Sequence, residues 1–443
     1  MRTNVAAIFD IGKTNRKFFL VDDTYRIVHE RSENGVEVED EDGFPSEDLS
    51  TLQAFIRSGI AEVAGLRDFQ VKAVNVSAYG ASFVHVDDTG KPVTPLYNYL
   101  KPYPAGLDDA LYARYGGRDE FLARTASPPL GNLNSGLQLY RLKHERPEVF
   151  KRIRHSYHLP QYLAALLHGQ PVSEMTSIGC HTALWDFDSR DYHDWVKNEG
   201  VLPKLPPIAP TDQVHKIRIG EDEAVCGIGI HDSSSAMVPY IQMTGDPYLL
   251  LSTGTWSICF NPFNKGPLSH RELEQDCLNY ISVKGEPVRA SRLFAGNMYA
   301  QGVKELSQKF HVEEAFFRSI RADRDLLLKT TKQMQEGMPD LEEQAEDAVT
   351  AYYYFMAGLT ILQARAIRLV RTPNIKQIFV EGGFCQNEVF MYMLATILMN
   401  QRVYAASLPQ ASALGAAMVL HPHWNGHSAP IRVPDFRYFP PFQ

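Results

Sequence analysis

Val5-Ala6-Ala7-Ile8-Phe9-Asp10-Ile11-Gly12-Lys13-Thr14-Asn15 is an apolar run that leads straight into a polar turn containing a glycine. An unbroken apolar run closed by a turn is the pattern of a strand buried on both faces. Lys17–Val21 resumes the apolar pattern, so the two runs predict a hairpin with a polar tip. The same order returns as Tyr248–Leu251, the turn Ser252-Thr253-Gly254-Thr255, and Trp256–Phe260. A third apolar stretch, Gly227-Ile228-Gly229-Ile230-His231-Asp232, ends on a carboxylate. The repeated strand–turn–strand unit predicts an α/β fold with two domains of similar build around a shared cleft.

Size agrees with that reading. A chain of 443 residues and 50.0 kDa is too long for one ordinary core. Its 44% hydrophobic and 22% charged content is that of a soluble globular protein. A formal charge of −8 argues against a dedicated nucleic-acid binder. The five cysteines, Cys180, Cys226, Cys259, Cys277 and Cys385, show no C-x-x-C pair or zinc spacing. They suit a reducing cytoplasm, with most thiols acting as small core groups. No window reaches the ~20 apolar residues of a membrane span, and the N-terminus has no signal-peptide core. The expected partner is therefore a small molecule, with no nucleic acid and no membrane, and a homodimer remains open.

Other segments place the motifs. Tyr25–Arg31 follows as a strand, Leu52–Leu66 has helical spacing, and Val71–Val76 returns as a buried strand. Phe83–Val86 is another strand, followed by a tight turn at Asp87–Gly90. Helices dominate residues 106–200, among them Ser135–His144, with Pro147 opening the next one. Pro203–Pro210 reads as a connector. A long helix is expected from about Ala345 to Val370, a strand at Gln377–Val380, and a helix at Glu388–Met399.

Phosphate binding needs backbone N–H groups converging on one point, a conformation open mainly to glycine. The turn Gly12-Lys13-Thr14-Asn15 offers this with a cation and a hydroxyl, and Gly254-Thr255 offers a weaker version. Asp10 at the start of the first turn is the candidate for holding hydrated Mg²⁺, which takes one or two carboxylates plus phosphate oxygens. The G-x-x-x-x-G-K-[ST] spacing of a P-loop is missing. Asp232, at a strand end, can accept a proton from a substrate hydroxyl or cap the helix beginning near Ser233. His231 reads as its structural neighbour. Glu381-Gly382-Gly383 and Asn387 open a helix after a strand, where paired glycines let a ligand approach the backbone closely. Two phosphate turns and one carboxylate together point to phosphoryl transfer.

In this order the motifs resemble those of the FGGY carbohydrate kinases, which share the sugar kinase–Hsp70–actin architecture. The resemblance covers essentially the whole chain and implies two RNase H-like (actin-like ATPase) domains, residues 1–242 and 243–443, flanking a catalytic cleft. Asp10–Lys17 looks like the first phosphate motif, with Lys17 in its basic position. Gly227–Asp232 looks like the segment bearing the base, Ser252–Thr255 like the second phosphate motif, and Val380–Asn387 like the adenosine motif. Gln410–Ala417 resembles the alanine- and glycine-rich helix near the family's C-terminus. The implied cofactors are ATP and Mg²⁺, with Gly12, Lys13, Thr14, Asn15, Lys17, Gly254, Thr255, Gly382, Gly383 and Asn387 at the nucleotide. Gly254-Thr255-Trp256-Ser257 is most like the rhamnulose and fuculose kinases.

One departure concerns the acceptor. The family's tryptophan–acid–arginine cluster has no counterpart in Leu96-Tyr97-Asn98-Tyr99-Leu100-Lys101. Tyr79, Tyr99 and Gln138, with His231 and Asp232, are the expected sugar contacts. A ketose such as L-rhamnulose or L-fuculose is the first expectation, with a pentulose or polyol next. An actin- or Hsp70-like ATPase, or a silent sugar sensor, is the rival from another class.

Overall fold

The computed structural model describes residues 2–243, 246–337, 341–408, 410–428 and 435–442. The ends of the two expected domains, Met1 and Gln443, lie outside them. Strands β1 (Thr3–Ile11), β2 (Asn15–Asp22), β3 (Ile27–Asn34), β4 (Phe69–Ala78), β5 (Val214–Ile219), β6 (Asp222–Gly227) and β7 (Ile230–His231) form one seven-stranded sheet. Its order is β5-β6-β4-β1-β2-β3, with β7 also paired to β4. The second seven-stranded sheet uses β8 (Tyr248–Thr253), β9 (Ser257–Asn261), β10 (Cys277–Ile281), β11 (Pro287–Leu293), β12 (Gln377–Gly382), β13 (Arg402–Ser407) and β14 (Asp435–Phe439). It runs β10-β11-β9-β8-β12-β13-β14.

The two sheets repeat one pattern. In each, a central strand pairs antiparallel with the next strand through a polar turn and parallel with a later one: β1 with β2 and β4, β8 with β9 and β12. A strand with neighbours on both sides and helices over both faces has no wet side, so its sequence does not alternate. Val5 through Phe9 and Leu249 through Leu251 are accordingly buried without interruption. This is an α/β fold with two sheets of similar build, as the repeated strand–turn–strand pattern predicts.

Parallel strands end together, and that places the site. Ile11, Ala78 and His231 lie at one level, because Ile11 and His231 both pair with Ala78. Thr253 is level with Gly382 in the second sheet. The carboxyl ends of parallel strands are where such sheets hold ligands. Two helices pack across the junction, α1 (Asp232–Met243) and α2 (Ala411–Val419). A Cβ on Gly415 would stand 1.8 Å from the carbonyl oxygen of Ser235, so only glycine permits this approach. Ser235 Oγ donates to the carbonyl of Ser412 at 2.6 Å across the same contact.

Strands β5, β10, β11, β13 and β14, at or next to the edges of the two sheets, were not legible as strands. In β5, Val-His-Lys-Ile-Arg-Ile is half exposed, and its pairing partner rather than its composition holds it in place. The expected Pro203–Pro210 connector contains a short strand, Ile208–Ala209, paired with Ser173–Glu174. All five cysteines are buried and free. Among the described residues no helix is long and apolar enough to cross a membrane.

Candidate active site

Asp10 and Asp232 come from the ends of β1 and β7, which both run parallel to β4 and flank it on either side. Ser412 Oγ, from the first turn of α2, donates to Asp10 Oδ2 at 2.8 Å. Burial pushes the Asp10 carboxyl up to about 6, with the Asp232 charge adding to the rise and the Ser412 hydrogen bond and Lys17 opposing it. Asp232 keeps 32% of its side chain open, toward the cleft. Its enclosure between the two sheets still pushes its pKa up to about 6, against hydrogen bonds from Ser233. Asp232 opens α1 and accepts from the Ser233 amide at 2.5 Å, so the helix-start role and an outward-facing oxygen coexist.

His231 is a neighbour of the carboxylate. Its Nε2 lies 3.3 Å from Asp232 Oδ1 and 3.3 Å from Cys180 Sγ. Burial lowers its pKa to about 4, so the ring is neutral near pH 7. The Cys180 thiol is pushed well up by burial and the Asp232 charge, which keeps it protonated and unreactive.

The first turn is closed by the Gly12 amide donating to the Asn15 carbonyl at 2.9 Å, with Thr14 and Asn15 exposed at its tip. Lys17 sits opposite Asp10 in the hairpin register and reaches across to Gln410 Oε1 at 3.2 Å. Lys13 bends back over the rings of Tyr79 and Tyr99, 5.7 and 5.9 Å from their centroids. In the second sheet Gly254 and Thr255 are exposed at the tip of their turn. Thr253 is not, and its hydroxyl donates to the Glu381 carbonyl while accepting from the Phe384 amide at 3.0 Å. The second turn and the Gly382–Gly383 turn are therefore bolted together. Gly382 has φ +82°, and a Cβ there would meet Thr253 O at 1.9 Å. A Cβ on Gly383 would meet nothing within 4 Å.

Three cavities open along this line. One of about 700 Å³ is walled by Tyr79, Tyr99, Lys101, His181, Trp256 and Arg292, and reaches His231 and Ser233. The next, about 480 Å³, contains Asp232, Ser233, Glu381, Gly382, Gln410 and Ser412. Ser233 lines both, so Asp232 stands where they meet. A third, about 440 Å³, lies beyond, between Gly254, Tyr299, Arg318, Gly383 and Asn387. Asn387 is spent structurally: its side chain caps the following helix at Phe390 N (3.0 Å) and donates to the Tyr352 hydroxyl (2.8 Å).

Of the expected sugar contacts, Tyr79, Tyr99 and His231 line the first cavity. Tyr79 is fixed by donating to Glu47 Oε2 at 2.5 Å, and Glu47 is paired with the fully buried Arg16 at 3.0 Å. Gln138 departs from the expectation. It is 2% exposed and spends its amide on the carbonyls of Ala81 (3.0 Å) and Asn132 (2.9 Å), bracing the wall from behind. The Leu96–Lys101 segment splits: Tyr97 is buried with its hydroxyl on Glu41, whereas Tyr99, Leu100 and Lys101 face the cavity. Sequence reasoning gave no role to Ser412, Glu381, Trp256 or Arg292. Ser412, Glu381 and Trp256 lie inside quoted motifs and Arg292 lies in none, but the neighbours of all four come from elements far along the chain.

Comparison with known proteins agrees with the geometry. Residues 5–237 match the model of the N-terminal domain of the FGGY family of carbohydrate kinases, and residues 245–428 match that of an FGGY carbohydrate kinase C-terminal domain. The chain belongs to the FGGY carbohydrate kinases. A curated relative, a rhamnulokinase of Halalkalibacterium halodurans, is 22% identical, covering 91% of this chain and 88% of that one. A carbohydrate kinase from Novosphingobium aromaticivorans superposes with TM-score 0.81 at 24% identity, over 98% of this chain and 96% of that one. A ligand-bound xylulose kinase from Lactobacillus acidophilus gives 0.78 at 15%, over 99% and 94%. At these identities the structural likenesses establish the fold and leave the acceptor to the site itself.

In an FGGY kinase the open space at Gly383 has a direct test. Gly383→Val adds a branched side chain to a position with free room on the cavity side. Expected is a KM for ATP raised at least about 10-fold, the cost of one or two lost contacts, with the melting temperature unchanged. ATP affinity by calorimetry equal to wild type would show that the nucleotide does not pass this turn.

Proposed function

We propose that this kinase transfers the γ-phosphoryl group of ATP to a hydroxyl of a small sugar in the 700 Å³ cavity, with Asp232 accepting the proton. The observation that carries this is the position of Asp232, a raised-pKa carboxylate at the meeting point of a polyol-sized and a phosphate-sized cavity. A base held near pH 6 is ionised at neutral pH and still basic enough to share a hydroxyl proton as transfer proceeds. The phosphate chain would lie between the turns at 12–15 and 253–255, with Lys17 as the cation, and the nucleoside would lie toward Gly382, Gly383 and Asn387. We take the division of the chain as residues 1–242 with the acceptor and 243–443 with the nucleotide.

Asp10 suits a hydrated Mg²⁺. Among the described residues no group of three or more His, Cys, Asp or Glu side chains could enclose a metal. A single enclosed carboxylate beside a phosphate cavity is what a mostly water-coordinated ion requires. Mg²⁺ bound there would neutralise phosphate charge. Asp10 would hold its water shell, and Ser412 would orient the Asp10 oxygen.

The acceptor cavity favours a neutral ketose. Tyr79 and Tyr99 meet edge to face at 6.4 Å and present aromatic surface, which suits the C–H face of a sugar. Leu130, Leu133 and Ile258 add an apolar wall that suits a deoxy terminus, so a 6-deoxy ketohexose such as L-rhamnulose or L-fuculose ranks ahead of pentuloses. A coupled ADP-release screen over ketohexoses, ketopentoses, polyols and aldonates tests this, and glycerol preferred over every ketose would overturn the ketose assignment. Tyr99→Ala removes one ring and the second support of Lys13. Expected is a fall of about 10-fold in kcat/KM for the best sugar, as for roughly 1–2 kcal/mol of stacking, with KM for ATP nearly constant. Equal effects on both substrates would place Tyr99 outside the acceptor site.

A further inference from the structure

Arg292 closes the acceptor cavity from the side opposite Tyr79 and Tyr99. It lies on β11, in register with Ile258 of β9, and both residues line the cavity. Its side chain is only 10% exposed. One end of the guanidinium is fixed, because Nη2 donates to Asp276 Oδ1 at 2.6 Å. The plane is fixed as well, resting 5.3 Å from the Trp256 ring centroid, and Trp256 in turn packs on Phe294 at 4.4 Å. Its Nε is buried and has no hydrogen-bond partner among the described residues. Nε is thus closed off from the cavity, and the donors left for a ligand are the N–H groups at the guanidinium tip that Asp276 does not take, held rigidly at the cavity wall.

The charge around the cavity limits what that donor meets. Lys101 is neutralised by Asp40 at 2.5 Å and Asp42 at 2.6 Å, and Arg292 by Asp276. Burial holds His181 and His231 neutral, at about 3 and about 4. Asp108 on the rim and Asp232 at the floor are negative. The two cations that line the cavity, Lys101 and Arg292, thus each have a carboxylate partner, and among the described residues a carboxylate-bearing acceptor would have only Lys13, over the Tyr79 and Tyr99 rings, to compensate its charge.

We propose that Arg292 is a specificity-determining residue that donates a guanidinium N–H left free by Asp276 to one hydroxyl or keto oxygen of a neutral acceptor, from the sheet that carries the second phosphate turn. The inference rests on the acceptor cavity proposed above. A sugar held this way touches both halves of the chain: Tyr79, just past the end of β4, with Tyr99 in a later loop, and Arg292 on the second sheet. The contact is linked to the nucleotide turn, since Gly296, four residues beyond Arg292, packs so tightly on Gly254 that a Cβ would meet Gly254 O at 2.0 Å. An acceptor lacking the matched oxygen leaves the donor unpaired, so selection acts at that carbon.

The test is a cycle between enzyme and substrate. Wild type and Arg292→Gln are assayed with the best neutral sugar and with its series of mono-deoxy analogues. In the wild type one analogue should lose about 10- to 100-fold in kcat/KM, the range for a hydrogen bond from a charged group. In Arg292→Gln the parent sugar should lose a similar factor and that analogue nothing further. Arg292→Lys keeps the charge but moves the donor, and should resemble Arg292→Gln. If the penalties across the series are the same in wild type and variant, Arg292 does not touch the acceptor, and the kinase reading stands without it. An aldonate preferred at least 10-fold over every neutral sugar also overturns the inference. A wild type that phosphorylates no sugar of either kind overturns both readings.

Discussion

Asp232→Asn is expected to lower kcat for sugar phosphorylation by about 10²–10⁴-fold, the range for loss of a general base. The substitution keeps the shape of the side chain and a carbonyl oxygen for the Ser233 amide, so α1 should still start where it does. What goes is the proton acceptor at the junction of the acceptor and phosphate cavities. KM for ATP should change by less than about 3-fold. The pH profile supplies an independent reading. Burial holds Asp232 and Asp10 both at about 6, and the Asp232 charge adds to the rise at Asp10, so the two ionisations are linked. Wild-type kcat/KM should fall as pH drops through about 6, as the base becomes protonated.

Stability should move the opposite way. With folded pKa values above the ~3.9 of an unfolded Asp, these groups bind protons more tightly in the folded chain between about pH 4 and pH 6. Their ionisation therefore costs stability, fully so above pH 6. Asp232→Asn should melt about 2–4 °C higher than wild type at pH 7.5, for roughly 1 kcal/mol in domains of this size, and lose that margin below about pH 4. Near-normal turnover in the variant would refute the assignment of Asp232 as base, whatever its stability.

The legible parts of this fold were those whose sequence carries its own reason. Val5–Phe9 of β1 and Tyr248–Leu251 of β8 are apolar without a break because both faces are covered, and the turns after them are polar because they end at a cleft. The long helix Ala348–Val370 announced itself by length and composition. Tyr79 and Tyr99 were chosen by chemistry, since aromatic faces suit a polyol, and both line the first cavity. Gln138 was chosen by the same chemistry and stands behind the wall instead, because nothing in an isolated amide tells whether its partners are ligand or backbone. Arg292 and Trp256 could not be placed: their pairing spans two strands, and the cavity they close exists only once the two sheets face each other. Ser412 sat in a helix singled out for its alanines and glycine, and that helix packs on α1, yet its first turn also holds Asp10.

That double duty makes Gly415 the most sensitive small residue of the junction. Gly415→Ala adds one methyl group at a point where a Cβ would lie 1.8 Å from Ser235 O, 2.6 Å from its carbon and 3.0 Å from Ser235 Oγ. The obstacle is backbone inside a helix, so no rotamer change relieves it, and α1 and α2 must separate. Both helices begin at the site, α1 with Asp232 and α2 one residue before Ser412. Separation would break the Ser235–Ser412 bond and draw Ser412 away from Asp10. The expected cost is about 3 kcal/mol or more, at the upper end of overpacking in a core, which corresponds to a melting temperature lower by roughly 6–12 °C. Activity of the folded fraction should fall as well, because the two carboxylates lose their common support, and a misplacement near 1 Å can cost about 10²-fold. Gly383→Ala, with the same added methyl group in open space, is the control and should melt like the wild type. A Gly415→Ala protein with wild-type melting temperature and kcat would mean that the two helices do not hold Asp10 and Asp232 in place.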